Sequence, residues 1–206
     1  MSFSAAERQS LARLFRELGP DAPTLCEGWT THDLVVHLWI RENRLNAAAG
    51  MFIGFLEDRL RAVTNEVKKL PFGEVVDLWE AGPVRGRWWG LVDARINVTE
   101  HFVHHEDVRR ANGKTEPREL SRAAQQELHG ALKLLAPRFL KSSNCPVILL
   151  PQGFDRLVCA DSRGVARRGN RVVTVSGPVG ELLLWVFGRE SVELDFEGDV
   201  TQVRMK

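Results

Sequence analysis

Tyrosine is absent from all 206 residues, so no phenol is available here as a catalytic acid or base. The three cysteines, Cys26, Cys145 and Cys159, are odd in number and widely spaced, and no Cys-x-x-Cys pair occurs. That pattern supports neither a disulfide framework nor a zinc knuckle, and a reducing cytoplasm is the expected compartment. No apolar run approaches the roughly 20 residues a helix needs to cross a bilayer. The start, Met1-Ser2-Phe3-Ser4-Ala5-Ala6-Glu7, lacks a basic stretch followed by an apolar core, so a soluble protein with no membrane partner is expected. Charge of one sign is also missing. The formal net charge is +1 with both signs interleaved, which leaves no broad electrostatic footprint for nucleic acid. Arg87 to Arg95, Arg109-Arg110 and Arg163 to Arg171 form local basic clusters, read as solvated surface. Glycine-rich phosphate loops, a Gly-x-Ser-x-Gly elbow and the His-Glu-x-x-His zinc-protease helix are all lacking, which argues against the chemistries they serve.

What is present is a strong helical pattern followed by a change of texture. Ser4 to Glu7 fits a capping box, and Leu11, Leu14, Phe15 and Leu18 recur at helical spacing before Gly19-Pro20. After a turn-rich stretch, Thr30 or Thr31 can cap a second helix with Leu34, His37, Leu38 and Leu45 on one stripe, so that His37 faces inward. Further helices are predicted from about Phe55 to Lys69, over a short piece at Val75 to Trp79, from Arg87 to Asn112 with Gly113 as a left-handed stop, and from Glu119 to Leu135, ending at Pro137. Beyond Cys145 the pattern predicts strands at Arg156 to Ala160, Arg171 to Val175, Val192 to Phe196 and Val200 to Met205. A helix opened by Gly177-Pro178 runs through Phe187. The fold class is therefore α+β, with a helical domain at 1–143 and a small α+β domain at 144–206.

Chemistry concentrates in Val98-Thr99-Glu100-His101-Phe102-Val103-His104-His105-Glu106-Asp107. Glu100 and His104 are four residues apart, so a helix puts them on one face, and His37 on another helix can supply a third ligand. Two imidazoles and a carboxylate with a vacant fourth position make the usual arrangement of a catalytic divalent-metal site. His101 and His105 form a rival pair at the same spacing, rotated by about 100°. Val92, Ile96 and Val103 favour the Glu100/His104 side, leaving His101 or His105 for surface or supporting roles. Asp107, about one turn beyond His104, can orient a ligand imidazole through its other nitrogen. Cys26 precedes a helix start, where a thiolate is stabilised, although a buried, inert thiol is the plainer reading. Trp88-Trp89 suit a pocket wall, a subunit contact or ordinary packing.

The segment Thr24-Leu25-Cys26-Glu27-Gly28-Trp29-Thr30 leading into Asp33-Leu34-Val35-Val36-His37-Leu38, together with Glu100, His104 and Asp107, resembles the metal-binding domain of mycothiol-dependent maleylpyruvate isomerases, of the DinB/YfiT-like superfamily. The resemblance spans roughly residues 5 to 140. It implies a DinB-like four-helix bundle in which His37, Glu100 and His104 hold a divalent metal, zinc being expected, with mycothiol or a similar thiol as cosubstrate. Gly177-Pro178 through Gly188-Arg189 is similar to the family's smaller domain, which makes Arg189 a candidate catalytic residue beside Asp107. The implied activity is thiol-dependent isomerisation or S-transfer on a small electrophile. A non-catalytic metal or small-ligand receptor is the alternative, and homodimerisation is left open.

Overall fold

The computed structural model describes residues 2–44, 57–83, 91–161, 164 and 171–205. Of the sequence expectations, Leu45, Trp88-Trp89, most of the Arg163 to Arg171 cluster and the starts of two predicted helices lie outside these residues. So do the side chains of Val92, Arg95 and Ile96. Among the described residues the fold is α+β, with seven α-helices and one four-stranded sheet. The chain divides into two compact units, Met1–Leu91 with His104–Lys114, and Val92–Val103 with Thr115–Lys206. One long helix contributes to both units.

The first unit is helical. Helix α1, Phe3–Leu18, is capped by Ser2, whose side chain accepts from the Ala5 amide. The expected Ser4/Glu7 box does not form, because Glu7 is buried inside the helix and paired elsewhere. Gly19 ends α1 at φ +81°, a conformation that side chains with a Cβ rarely adopt. Helix α2, Thr31–Asn43, starts at Thr30: the Asp33 amide donates to Thr30 Oγ1 and the Thr30 amide to Asp33 Oδ2, satisfying two otherwise orphaned donors. Lys68 closes an ion pair on the same Asp33. Helices α3, Glu57–Val67, and α4, Phe72–Glu80, complete the group.

Leu11, Phe15, Leu34, Leu38, Val75 and Trp79 are all fully buried in one core, and each contributes about 1.5–3 kcal/mol by leaving water. Phe15 meets Trp79 edge-on at 5.9 Å. A polar knot crosses this core. Arg8 donates to Glu42 at 2.6 Å and to the Trp79 carbonyl at 2.7 Å, while Trp79 Nε1 donates to the other Glu42 oxygen at 3.1 Å.

Helix α5, Leu91–Ala111, ends as predicted. Gly113 at φ +85° lets its own amide donate to the Arg110 carbonyl and the Lys114 amide to that of Arg109, which is a Schellman closure. The expectation that Arg109-Arg110 is solvated surface is overturned. Both are buried, and both donate to Glu106, itself 1% exposed.

The second unit builds on α6, Arg122–Phe139, capped by Ser121 rather than begun at Glu119. Pro137 does not stop the helix. It sits in the last turn, where it removes only one ladder bond, and the Leu140 amide still reaches the Ala136 carbonyl. The sheet order is β2-β1-β3-β4, from β1 (Val147–Pro151), β2 (Leu157–Cys159), β3 (Val173–Gly177) and β4 (Asp195–Glu197). Strands β1 and β3 run parallel, with Val147 opposite Val173, and the outer pairings are antiparallel. Strand β1 escapes the sequence reading because Val-Ile-Leu-Leu-Pro carries no alternation.

Helix α7, Val179–Val186, is buried on every side and packs on α6, β3 and β1. Gly180 is required there, since a Cβ would lie 2.9 Å from Phe102 Cζ. The strand expected at Val200 to Met205 is absent. Asp199 accepts from the Thr201 amide and winds Val200–Gln202 into a 3₁₀ turn, so local bonds replace a ladder. No helix of the described residues is long and apolar enough to cross a membrane.

Candidate metal centre

The loop between α1 and α2 is held by its own backbone. Pro23 bridges Thr30, the Thr31 amide donates to the Ala22 carbonyl, and the Trp29 amide to the Cys26 carbonyl. Thr24 Oγ1 donates to the Trp29 carbonyl at 3.0 Å. The loop is also tied to α5, because the Leu25 amide donates to the Asp107 carbonyl at 3.2 Å and Asn112 Nδ2 to the Pro23 carbonyl at 3.0 Å. These bonds fix where Cys26 and Trp29 stand relative to the helix that carries His104.

His37, nearly two turns into α2, is half-buried rather than fully inward. Its ring lies 5.4 Å from that of His104, nearly perpendicular, and 5.1 Å from Trp29. On α5, Glu100 stands one turn before His104. Each of His37, Glu100 and His104 offers a ligand atom within 4.8 Å of the other two. Two nitrogens and a carboxylate oxygen at that separation are a donor set that fits a divalent transition metal, zinc included.

The second nitrogen of His104 is engaged. His104 Nδ1 lies 2.9 Å from Asp107 Oδ2, and Asp107 is wholly buried. A carboxylate only accepts, so the proton sits on Nδ1 and Nε2 remains the nitrogen that can coordinate. Cys26 adds a third group to this corner. Its Sγ is 3.4 Å from Asp107 Oδ2 and 3.8 Å from His104 Nδ1, and the thiol is half-buried rather than enclosed.

The rival pair is not on the surface. His101 is 0% exposed, and His105 is buried with its Nδ1 3.0 Å from Glu7 Oε2 on α1. The premise that only one face of α5 turns inward fails, because Val98 to Arg110 is buried almost all round. A helix covered on every side has no apolar stripe from which its working face can be read. Arg189 lies in the second unit, half-buried just after α7, where its Nη1 donates to the Phe187 carbonyl at 2.7 Å.

Sequence reasoning gave no role to Trp29 against His37, to the Glu7–His105 pair, or to Cys26 beside Asp107. Trp29 and Cys26 both stood inside the quoted motif, which was a usable signal. Glu7, ninety-eight positions before His105, offered none.

Residues 4–52 match the family model described as the mycothiol maleylpyruvate isomerase N-terminal domain. A search of curated proteins finds no match. Among solved structures, the chain is similar to the mycothiol-dependent maleylpyruvate isomerase at 16% identity and a TM-score of 0.58, and to a histidine-to-alanine mutant of that enzyme at 16% and 0.59. Each comparison covers 98% of both chains. At that identity the likeness of structures establishes a shared fold, and the matched segment, which contains His37, bears out the relationship read from the Gly28-Trp29-Thr30 motif: the chain resembles the mycothiol-dependent maleylpyruvate isomerases.

Proposed function

We propose that the protein is a divalent-metal enzyme that activates a low-molecular-weight thiol for isomerisation of, or S-transfer to, a small electrophile. The observation that carries this reading is the convergence of His37, Glu100 and His104 ligand atoms within 4.8 Å, in a chain whose matched segment and fold neighbours are both those of thiol-dependent isomerases. The first unit is accordingly read as a DinB-like four-helix bundle, zinc as the resident metal and mycothiol or a similar thiol as cosubstrate. The proposed folding domains are 1–143 and 144–206, in a cytoplasmic protein.

When bound, the metal supplies Lewis acidity that favours the thiolate form of a thiol at neutral pH. His37 and His104 bind it as neutral imidazoles, and Glu100 lowers the net charge of the site. Asp107 holds the Nδ1 proton of His104, which fixes tautomer and ring orientation. Trp29 packs against His37 and restricts its rotation. Arg189 is assigned to neutralising an acidic substrate or cofactor. Addition of a thiol to a conjugated double bond forms a C–S bond and leaves a single bond free to rotate. Elimination then restores the alkene and the thiol, giving isomerisation, whereas departure of a leaving group gives S-transfer.

The test pairs metal content with turnover of activated cis-alkenes in the presence of mycothiol. Turnover should require thiol, and in His37→Ala both metal and activity should fall by more than the roughly 10–100-fold typical of losing an outer partner. Equal metal occupancy in His37→Ala would overturn the ligand assignment. Turnover that survives removal of all thiols would point to hydrolysis, and metal binding without turnover would identify a receptor.

A further inference from the structure

Two groups of three side chains among the described residues have cation-binding geometry, and His104 belongs to both. The second, Cys26, His104 and Asp107, lies within the first unit and is not used as a ligand set in the function proposed above. We propose that these three residues form a separate site for thiophilic cations such as Cd²⁺ or excess Zn²⁺, adjoining the first and coupled to it through the two nitrogens of one imidazole.

The distances carry the argument. A tetrahedral zinc ion with ordinary bond lengths separates its sulfur from a nitrogen or oxygen ligand by about 3.6 Å, and nitrogen from oxygen by about 3.4 Å. Here Sγ to Nδ1 is 3.8 Å, Sγ to Oδ2 is 3.4 Å and Nδ1 to Oδ2 is 2.9 Å. The two sulfur edges already match, and the third opens by about half an ångström when a cation replaces the hydrogen bond.

The loop bonds from Leu25 to Asp107 and from Asn112 to Pro23 hold the thiol in place beforehand, so little ordering is needed on binding. Asp107 is a fully buried carboxylate whose Oδ2 faces both a thiol and an imidazole N–H, and a cation displaces those two protons. Sulfur, nitrogen and oxygen together favour a softer ion than the two-nitrogen, one-oxygen set does.

Loading this site is balanced by loss of the Cys26 thiol proton and of the His104 Nδ1 proton. With the first site empty, the imidazole takes a proton back on Nε2, and one proton is released per cation. With the first site filled, two are released and His104 bridges as imidazolate. In either case Asp107 no longer holds the imidazole proton, so thiophilic ions should inhibit. That consequence for turnover rests on the proposed function, whereas the binding itself does not.

The experiment titrates the full chain with Cd²⁺, following the ultraviolet thiolate-to-cadmium absorption and the bound stoichiometry by equilibrium dialysis. The expected result is two Cd²⁺ per chain with a charge-transfer band. In Cys26→Ser the band should vanish and one Cd²⁺ remain, and in His37→Ala the band should persist with one Cd²⁺ lost. A Cys145→Ala/Cys159→Ala chain should keep the band, which assigns it to Cys26. The proposal is overturned if the wild-type chain shows no band, if the band survives Cys26→Ser, or if it requires Cys145 or Cys159. If His37→Ala keeps both cations, the first ligand set fails and the second stands.

Discussion

The two units solve burial in opposite ways. In the first, charged and polar side chains go into the interior and find partners there: Arg8 with Glu42 and Trp79, His105 with Glu7, Arg109 and Arg110 with Glu106. In the second, β1, β3 and α7 present Val147, Leu149, Val173, Val175 and Leu182 to Leu184 to a largely aliphatic interior, where Glu181 accepts from the Glu193 amide and His101 is a buried polar exception. Both sets of cation-capable side chains use His104, on the first unit's stretch of α5. Buried ionic groups cost more to install than apolar ones of equal volume, and they are found where chemistry needs fixed, dry, oriented ligands.

Variants in the two units separate these modes. Glu42→Ala leaves the Arg8 guanidinium and Trp79 Nε1 in the core without that acceptor, and it should cost about 3–5 kcal/mol, read as a fall in the urea midpoint. A loss under 1 kcal/mol would mean the knot contributes little. In the second unit, Leu182→Ala should cost about 2–5 kcal/mol through its cavity while leaving metal affinity unchanged. A parallel drop in metal affinity would mean that the aliphatic core also governs the placing of Glu100, a residue of the second unit. Asp107→Asn retains the shape but weakens the hold on the Nδ1 proton, and should lower metal affinity by roughly 10–100-fold with little change in melting temperature. A large stability loss with intact affinity would make Asp107 purely structural.

The smallest effect concerns pH. His32 stands edge-on to Phe72 at 5.7 Å, and burial, helped by Lys68, pushes its imidazole below the ordinary 6.5. The folded state therefore prefers neutral His32. Its share of stability is present above about pH 6.5 and is lost as pH falls from there toward the depressed folded value. Melts on either side of that pH should show a modest drop that His32→Phe removes. An unchanged drop in the variant would assign it to other groups.

Much of the first unit was readable because its signals are local. The threonine cap at Thr30 or Thr31, the Leu11 to Phe15 stripe and the Gly113 stop each act within a few residues. Gly28-Trp29-Thr30 together with His37 pointed to the right relatives. The failures have physical causes as well. Alternation at Val200 to Met205 gave way to an aspartate that caps its own turn, and Val147–Pro151 had no alternation to read because its strand is central. Helix α5 misled most. Its buried charges neutralise one another, so polarity no longer marks the outside, and the placing of His101 and His105 depended on partners far away in sequence.

The Glu7–His105 pair has a further consequence for α5. It works as an angular index, clamping one side of the helix so that the neighbouring residue, about 100° further round, is presented at a set bearing. Excising two residues between Glu100 and His104 would leave the clamp closed yet set the carboxylate about 200° round the helix from its imidazole. The helix would stay folded and pinned while the ligand set fell out of phase.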